Sequence, residues 1–139
     1  VPEAAGYSGT PLAKKLDIKA AGKLALVDAP ASWSVPDPPE GVTVARRRRR
    51  RTALADVDVA LMFCRNAADV AGIPPLVEVL GPRSALWVAW PRKAGGHASD
   101  ITDRLLREIL LPTGIVDVKV AALDADWSAL KFMWRKENR

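Results

Sequence analysis

The sequence predicts an α/β fold, a mostly parallel sheet that closes with an antiparallel β-hairpin. Three observations carry this. Val57–Cys64 is apolar at nearly every position, as a strand covered on both faces must be. Helix signals alternate with such strands over the first two thirds of the chain, the pattern of a parallel sheet. From Ile115 onward the pattern changes to strict alternation in two runs joined by Asp124-Ala125-Asp126, which marks a hairpin. A chain of 139 residues fits a single α/β domain over 1–139, with 1–7 as a terminal segment and 46–56 as an arginine-rich connection.

The elements follow in order. Thr10 reads as an N-cap and Pro11 as the first residue of a short helix through Leu16, because proline needs no backbone donor there. Lys23–Asp28 is the first buried strand. Ala29–Gly41 holds Pro30, Pro36, Pro38 and Pro39, which excludes a long helix and leaves a wrapped loop anchored by Trp33. Val42–Ala45 is a short second strand. After the third strand, Asn66 and Asp69 start a helix that breaks at Gly72-Ile73-Pro74-Pro75, resumes through Leu80 and stops at Gly81-Pro82. Ala85–Trp90 is the fourth strand. The next helix buries Ile101, Leu105 and Ile109, with Leu106 and Leu110 beside them, and carries Asp103–Arg107 and Arg104–Glu108 on its wet side. In the hairpin, Val116, Val118 and Val120 face one way. Leu130, Phe132 and Trp134 share a face opposite Lys131.

The formal charge is +5. Six consecutive arginines, Arg46, Arg47, Arg48, Arg49, Arg50 and Arg51, account for it, and without them the balance is −1. The basicity is therefore one local run rather than a property of the domain. Apolar residues make up 49% and charged residues 27%, an ordinary globular composition. No stretch reaches membrane-spanning length and no charged-then-apolar leader is visible, so a cytoplasmic setting with no membrane partner is expected. A single cysteine and a single histidine exclude an internal disulfide and a zinc site of the usual kind.

The strand and helix order, with its terminal hairpin, resembles the Rossmann-like three-layer core of the S-adenosylmethionine-dependent methyltransferases in reduced form. Leu80-Gly81-Pro82-Arg83-Ser84-Ala85-Leu86-Trp87-Val88 is similar to the proline, two glycines and hydrophobic strand of that class, with Arg83 and Ser84 in place of the glycines. The chain also resembles a small bacterial family known only as a domain of unknown function. That resemblance rests on Gly6–Leu16, on Leu86–Lys93 and on Val116–Val120 with Asp126–Phe132. The methyltransferase resemblance implies a glycine-rich loop after the first strand and an acidic residue ending the second. This chain has Asp28-Ala29-Pro30-Ala31-Ser32-Trp33 at the first place, with no glycine between Lys23 and Glu40, and runs into Arg46 at the second. Side chains would fill the space that S-adenosylmethionine or NAD needs, so no cofactor is expected.

Three functional readings follow. The first is a non-catalytic binding or interaction domain. The second places a small anionic ligand, or an enzyme acting on one, at the loop after the fourth strand. There Arg92, Lys93, Gly95, Gly96, Ser99 and Asp100 combine cations with a helix start, and Tyr7, Ser8 and Lys14 are placed near the same edge. The competing account is a solvated loop capped internally by Ser99 or Asp100. A Ser99–His97–Asp100 triad is disfavoured, since three residues within four positions rarely point at one another. Cys64 reads more readily as a buried apolar residue than as a nucleophile. Trp90 and Trp127 stand where strands meet loops and could wall a pocket. The third reading is nonspecific nucleic-acid association through Arg46–Arg51, against the alternative of a solvated connection.

Overall fold

The computed structural model describes residues 10–139, so Tyr7 and Ser8 lie outside the described residues. Six strands form one sheet: β1 (Lys23–Val27), β2 (Thr43–Arg47), β3 (Val59–Phe63), β4 (Ala85–Pro91), β5 (Ile115–Ala122) and β6 (Trp127–Trp134). Their order across the sheet is β2-β1-β3-β4-β6-β5. The first four run parallel, and the hairpin adds β6 antiparallel to β4, with β5 at the edge. All five residues of β3 are buried, which explains its unbroken apolar run.

Each face of the sheet is covered. On one side Ala60, Met62, Leu86, Val88, Leu130 and Phe132 meet α2 (Ala67–Ala71), α3 (Asp103–Leu110) and a 3-10 segment over Pro74–Val79. On the other side Leu24, Leu26, Leu61, Phe63 and Trp87 meet Leu16, Ile18, Trp33 and Val35. The period-two alternation of strand side chains sorts the two sets. Trp87 is fully buried, and its indole N–H donates to the Leu16 carbonyl at 3.2 Å. That bond ties the central strand to α1 (Leu12–Lys15).

Several local expectations change. Pro11, not Thr10, is the residue before α1, and no side chain caps that helix. β2 continues to Arg47, two residues past the expected end, because β1 extends alongside and pairs Leu26 with Arg46 and Val27 with Arg47. In α3 the deep positions are Leu106 and Leu110, following Ile101, while Leu105 and Ile109 are only half-buried. The helix begins at Asp103 with Thr102 as its cap, which rotates the buried stripe by one position. Val118 and Val120 are 50% and 66% exposed, because β5 is an edge strand with a register irregularity between Asp117 and Lys119.

Lys131 faces away from Leu130 and Phe132 as expected, but it is buried rather than solvated. Its ammonium donates to Asp17 Oδ2 at 2.7 Å, and Lys119 approaches the same oxygen at 3.0 Å. Asp17 stands just past α1 in the left-handed region, with φ 60°, which aspartate tolerates better than most residues. Partial burial works to raise its carboxyl pKa, but the hydrogen bonds and charges of Lys131 and Lys119 outweigh it, so the pKa is lowered. A lowered carboxylate stabilises the fold above its unfolded pKa, about 3.9, and that contribution is lost as pH falls through the native value. Asp17→Asn should therefore destabilise the protein by about 1–2 kcal/mol at neutral pH, by weakening the acceptor of a buried ammonium. In denaturant melts over a pH series, the gap from wild type should begin to narrow below about pH 4 and close as pH falls through the lowered native pKa.

Candidate functional site

In the strand order, β2 and β3 flank β1, so the connections leaving β1 and β3 diverge at their carboxyl ends. Such a switch point is where open α/β sheets offer a crevice to ligands. Here the protein's own side chains lace it. Asp28 leaves β1 with φ 55°, and its amide donates to the Arg47 carbonyl at 2.9 Å. Arg65, just beyond β3, reaches back to the Asp28 carbonyl at 2.7 Å. Arg49 lies across the crevice. Its backbone N–H donates to Asp28 Oδ1 at 3.2 Å and its Nε lies 3.7 Å from Asp28 Oδ2. Its Nη1 donates to the Asp69 carbonyl and its Nη2 approaches Cys64 Sγ at 3.3 Å.

The arginine run is thus divided by alternation. Arg47 and Arg49 are half-buried, and Arg47 holds the Ala53 and Ala55 carbonyls at 3.0 and 2.8 Å. Arg46, Arg48, Arg50 and Arg51 are exposed. A solvated connection therefore describes Arg48, Arg50 and Arg51, but not Arg47 or Arg49. Sharing Asp28 and Arg65 with this lacing is a groove of about 550 Å³, lined also by Leu26, Ala29, Ala31, Arg46, Arg47 and Arg48. The sequence reading did not include Asp28 and Arg65. The available signal was positional: both directly follow the apolar run of a parallel strand.

An aromatic wall backs this edge. Trp33 meets Phe63 edge-on at 5.1 Å, and Phe63 meets Trp127 edge-on at 4.9 Å. The Arg65 guanidinium sits 5.6 Å from the Trp127 ring centre, within cation–π range. Trp33 anchors the proline-rich loop as expected, and its indole donates to Asp124 Oδ2 at 3.0 Å. Trp90 packs instead against the helical side of the core.

The loop after β4 folds onto the hairpin turn. Arg92 donates to the Asp124 carbonyl at 3.0 Å, and its amide donates to the Asp126 carbonyl at 2.8 Å. The amides of Gly95 and His97 return to the Arg92 carbonyl, and that of Gly96 to the Lys93 carbonyl. His97 Nε2 meets Asp126 Oδ1 at 2.9 Å. A Cβ on Gly95 would collide with the Ala125 carbonyl oxygen, so glycine there permits the close approach. Ser99 Oγ accepts from the Ile101 amide, and Asp100 Oδ1 accepts from the Ala67 amide at the start of α2. Ser99, His97 and Asp100 each bond elsewhere rather than to one another. The Lys93 ammonium has no hydrogen-bond or ion-pair partner among the described residues. Lys14 is not drawn to this loop. It lines a separate cavity of about 690 Å³ with Asp17, Lys19 and Lys119.

Among the described residues, no cluster of three His, Cys, Asp or Glu side chains is placed to hold a metal, and no helix is long and apolar enough to cross a membrane. Solved structures share the architecture. A SAM-dependent methyltransferase from Aquifex aeolicus aligns with TM-score 0.60 at 14% identity, over 88% of this chain and 87% of that one. A TehB-like SAM-dependent methyltransferase from Corynebacterium glutamicum gives 0.56 at 11% identity, over 94% and 91%. The fibrillarin pre-rRNA processing protein of Methanococcus jannaschii gives 0.59 at 14% identity, over 84% and 68%. The chain has a Rossmann-like α/β core of the reduced, methyltransferase-like kind. At these identities the likeness is one of fold. No family model and no curated protein matches the sequence.

Burial pushes the Cys64 thiol up to about 11, with the neighbouring Arg49 guanidinium only partly opposing it. The thiolate is the reactive form. Native protein at pH 8 should therefore leave Cys64 unreacted toward Ellman's reagent, and denaturant should release its full reactivity. Prompt modification of the native state would contradict this placement.

Proposed function

We propose that this chain is a non-catalytic methyltransferase-like domain, a binding or interaction module that works without S-adenosylmethionine. The observation that carries the reading is the Asp28–Arg49–Arg65 lacing between the ends of β1 and β3. A cofactor seated in that crevice would have to displace a half-buried guanidinium and leave the Asp28 carboxylate without its cation. Removing one partner of such a pair is unfavourable. The loop that follows carries side chains and Pro30 where bare backbone would be needed. β2 ends in Arg46 and Arg47, which donate hydrogen bonds and cannot accept from ribose hydroxyls as a carboxylate does.

The other candidate chemistries are less well furnished. His97 is held on Asp126 in an exposed pair, and Cys64 is buried with a raised pKa. The hydroxyl of Ser99 is turned to its own backbone. Membership of the small bacterial family of unknown function, and a cytoplasmic setting, belong to the same proposal.

Thermal unfolding with millimolar S-adenosylmethionine or S-adenosylhomocysteine tests it. A ligand present at about 100 times its Kd would stabilise the fold by about 2.7 kcal/mol. The expected result is an unchanged midpoint with either compound. A clear upward shift would overturn the proposal.

A further inference from the structure

We infer that the groove beside β1 and β2 is a binding site for a multiply charged phosphate-type anion, with Arg46, Arg48 and Arg65 as its principal donors. This rests on the binding-module reading and supplies its site and ligand class. Four guanidiniums, those of Arg46, Arg47, Arg48 and Arg65, line the groove beside a single carboxylate, Asp28. That carboxylate is already engaged by Arg49. None of the four lining arginines forms an ion pair among the described residues; the arginines that do are Arg49, Arg104 and Arg107. Their positive charge is therefore uncompensated within the described fold.

Three of the four are nonetheless held in place. Arg46 donates to the Pro30 and Trp33 carbonyls, Arg47 to those of Ala53 and Ala55, and Arg65 to those of Asp28 and Phe63. Neutral carbonyls fix these side chains without cancelling their charge. A guanidinium carries five donors, so each retains N–H groups for an incoming oxyanion. Arg48 is exposed and has no side-chain partner among the described residues. The result is a preorganised set of forked donors, the arrangement that recognises phosphate oxygens. The groove's size suits a small ligand. Its aromatic neighbour Trp33 is buried beneath the loop, so no exposed ring is offered for base stacking. Phosphate, rather than base, is the recognised group.

Isothermal titration with inorganic tripolyphosphate tests the site, using wild type, Arg48→Ser and Arg104→Ser. The Arg48 side chain is exposed and makes no hydrogen bond or ion pair among the described residues, so its loss should leave the fold intact. Arg104 is an exposed arginine on α3, paired with Glu108, and controls for bulk charge. The expected outcome is one-to-one binding that weakens with added salt, about tenfold weaker in Arg48→Ser and unchanged in Arg104→Ser. A short oligothymidylate, tested in competition, identifies the source of the phosphate. Displacement by tripolyphosphate means that the groove also accepts a phosphodiester chain, whereas no oligonucleotide binding restricts it to small phosphorylated ligands. Failure of wild type to bind tripolyphosphate, wild-type affinity in Arg48→Ser, or equal losses in both variants would overturn the site. S-adenosylmethionine in the same assay separates the two proposals. Its binding would remove the reading that the chain works without S-adenosylmethionine, whereas tripolyphosphate binding and its weakening in Arg48→Ser decide the phosphate site.

Discussion

The carboxyl edge of the sheet depends on the two-residue period of an extended chain. β1 and β2 are paired through Val27 and Arg47, so the arginine run is held extended where it begins. Alternation then assigns opposite tasks to neighbouring residues of identical chemistry. Arg47 grips the connection that returns toward β3, and Arg49 bridges Asp28, Asp69 and Cys64. Arg48 between them is exposed, with no side-chain hydrogen bond or ion pair among the described residues. A stretch that looks uniform in composition is thus half structural and half available. Shifting its register by one residue would exchange the two sets.

The same edge shows how one scaffold can change its use. The sheet order creates a switch point whatever the side chains are. What can enter there depends on the first residues after each strand. Asp28 and Arg65 join the two strand ends, and Arg49 completes the closure. The groove at this edge runs toward β2, where arginines line it beside Asp28. Fold likeness sets the sheet order, and the side chains at its edge are this sequence's own.

Much of the architecture was legible because burial imposes its period on residue type. The apolar run of β3, the alternation of β6 and the Asn66–Asp69 cap each has a direct counterpart in the structure. What was not legible depended on partners distant in sequence. The alternation puts Lys131 on the opposite face from Leu130 and Phe132, but not its partner Asp17, 114 positions away. Asp100 reads as the cap of its own helix, yet tertiary packing presents it to Ala67. The alternation of the β5 valines gives them a common face but not its burial, and at an edge strand Val118 and Val120 are exposed. Arg65 carried no motif at all, and its importance comes from where β3 ends.

Asp124 joins the first third of the chain to the last. Its carboxylate accepts the amides of Asp126 and Trp127 within the hairpin turn, and also the indole N–H of Trp33, 91 positions away. The Trp33 indole therefore has its hydrogen-bond acceptor only when the C-terminal turn is formed. Since Arg46 donates to the Pro30 and Trp33 carbonyls, that closure also sets one wall of the arginine groove. Assembly of this edge is consequently non-local. Closing so long a loop comes at an entropic cost that the packing of the completed sheet offsets.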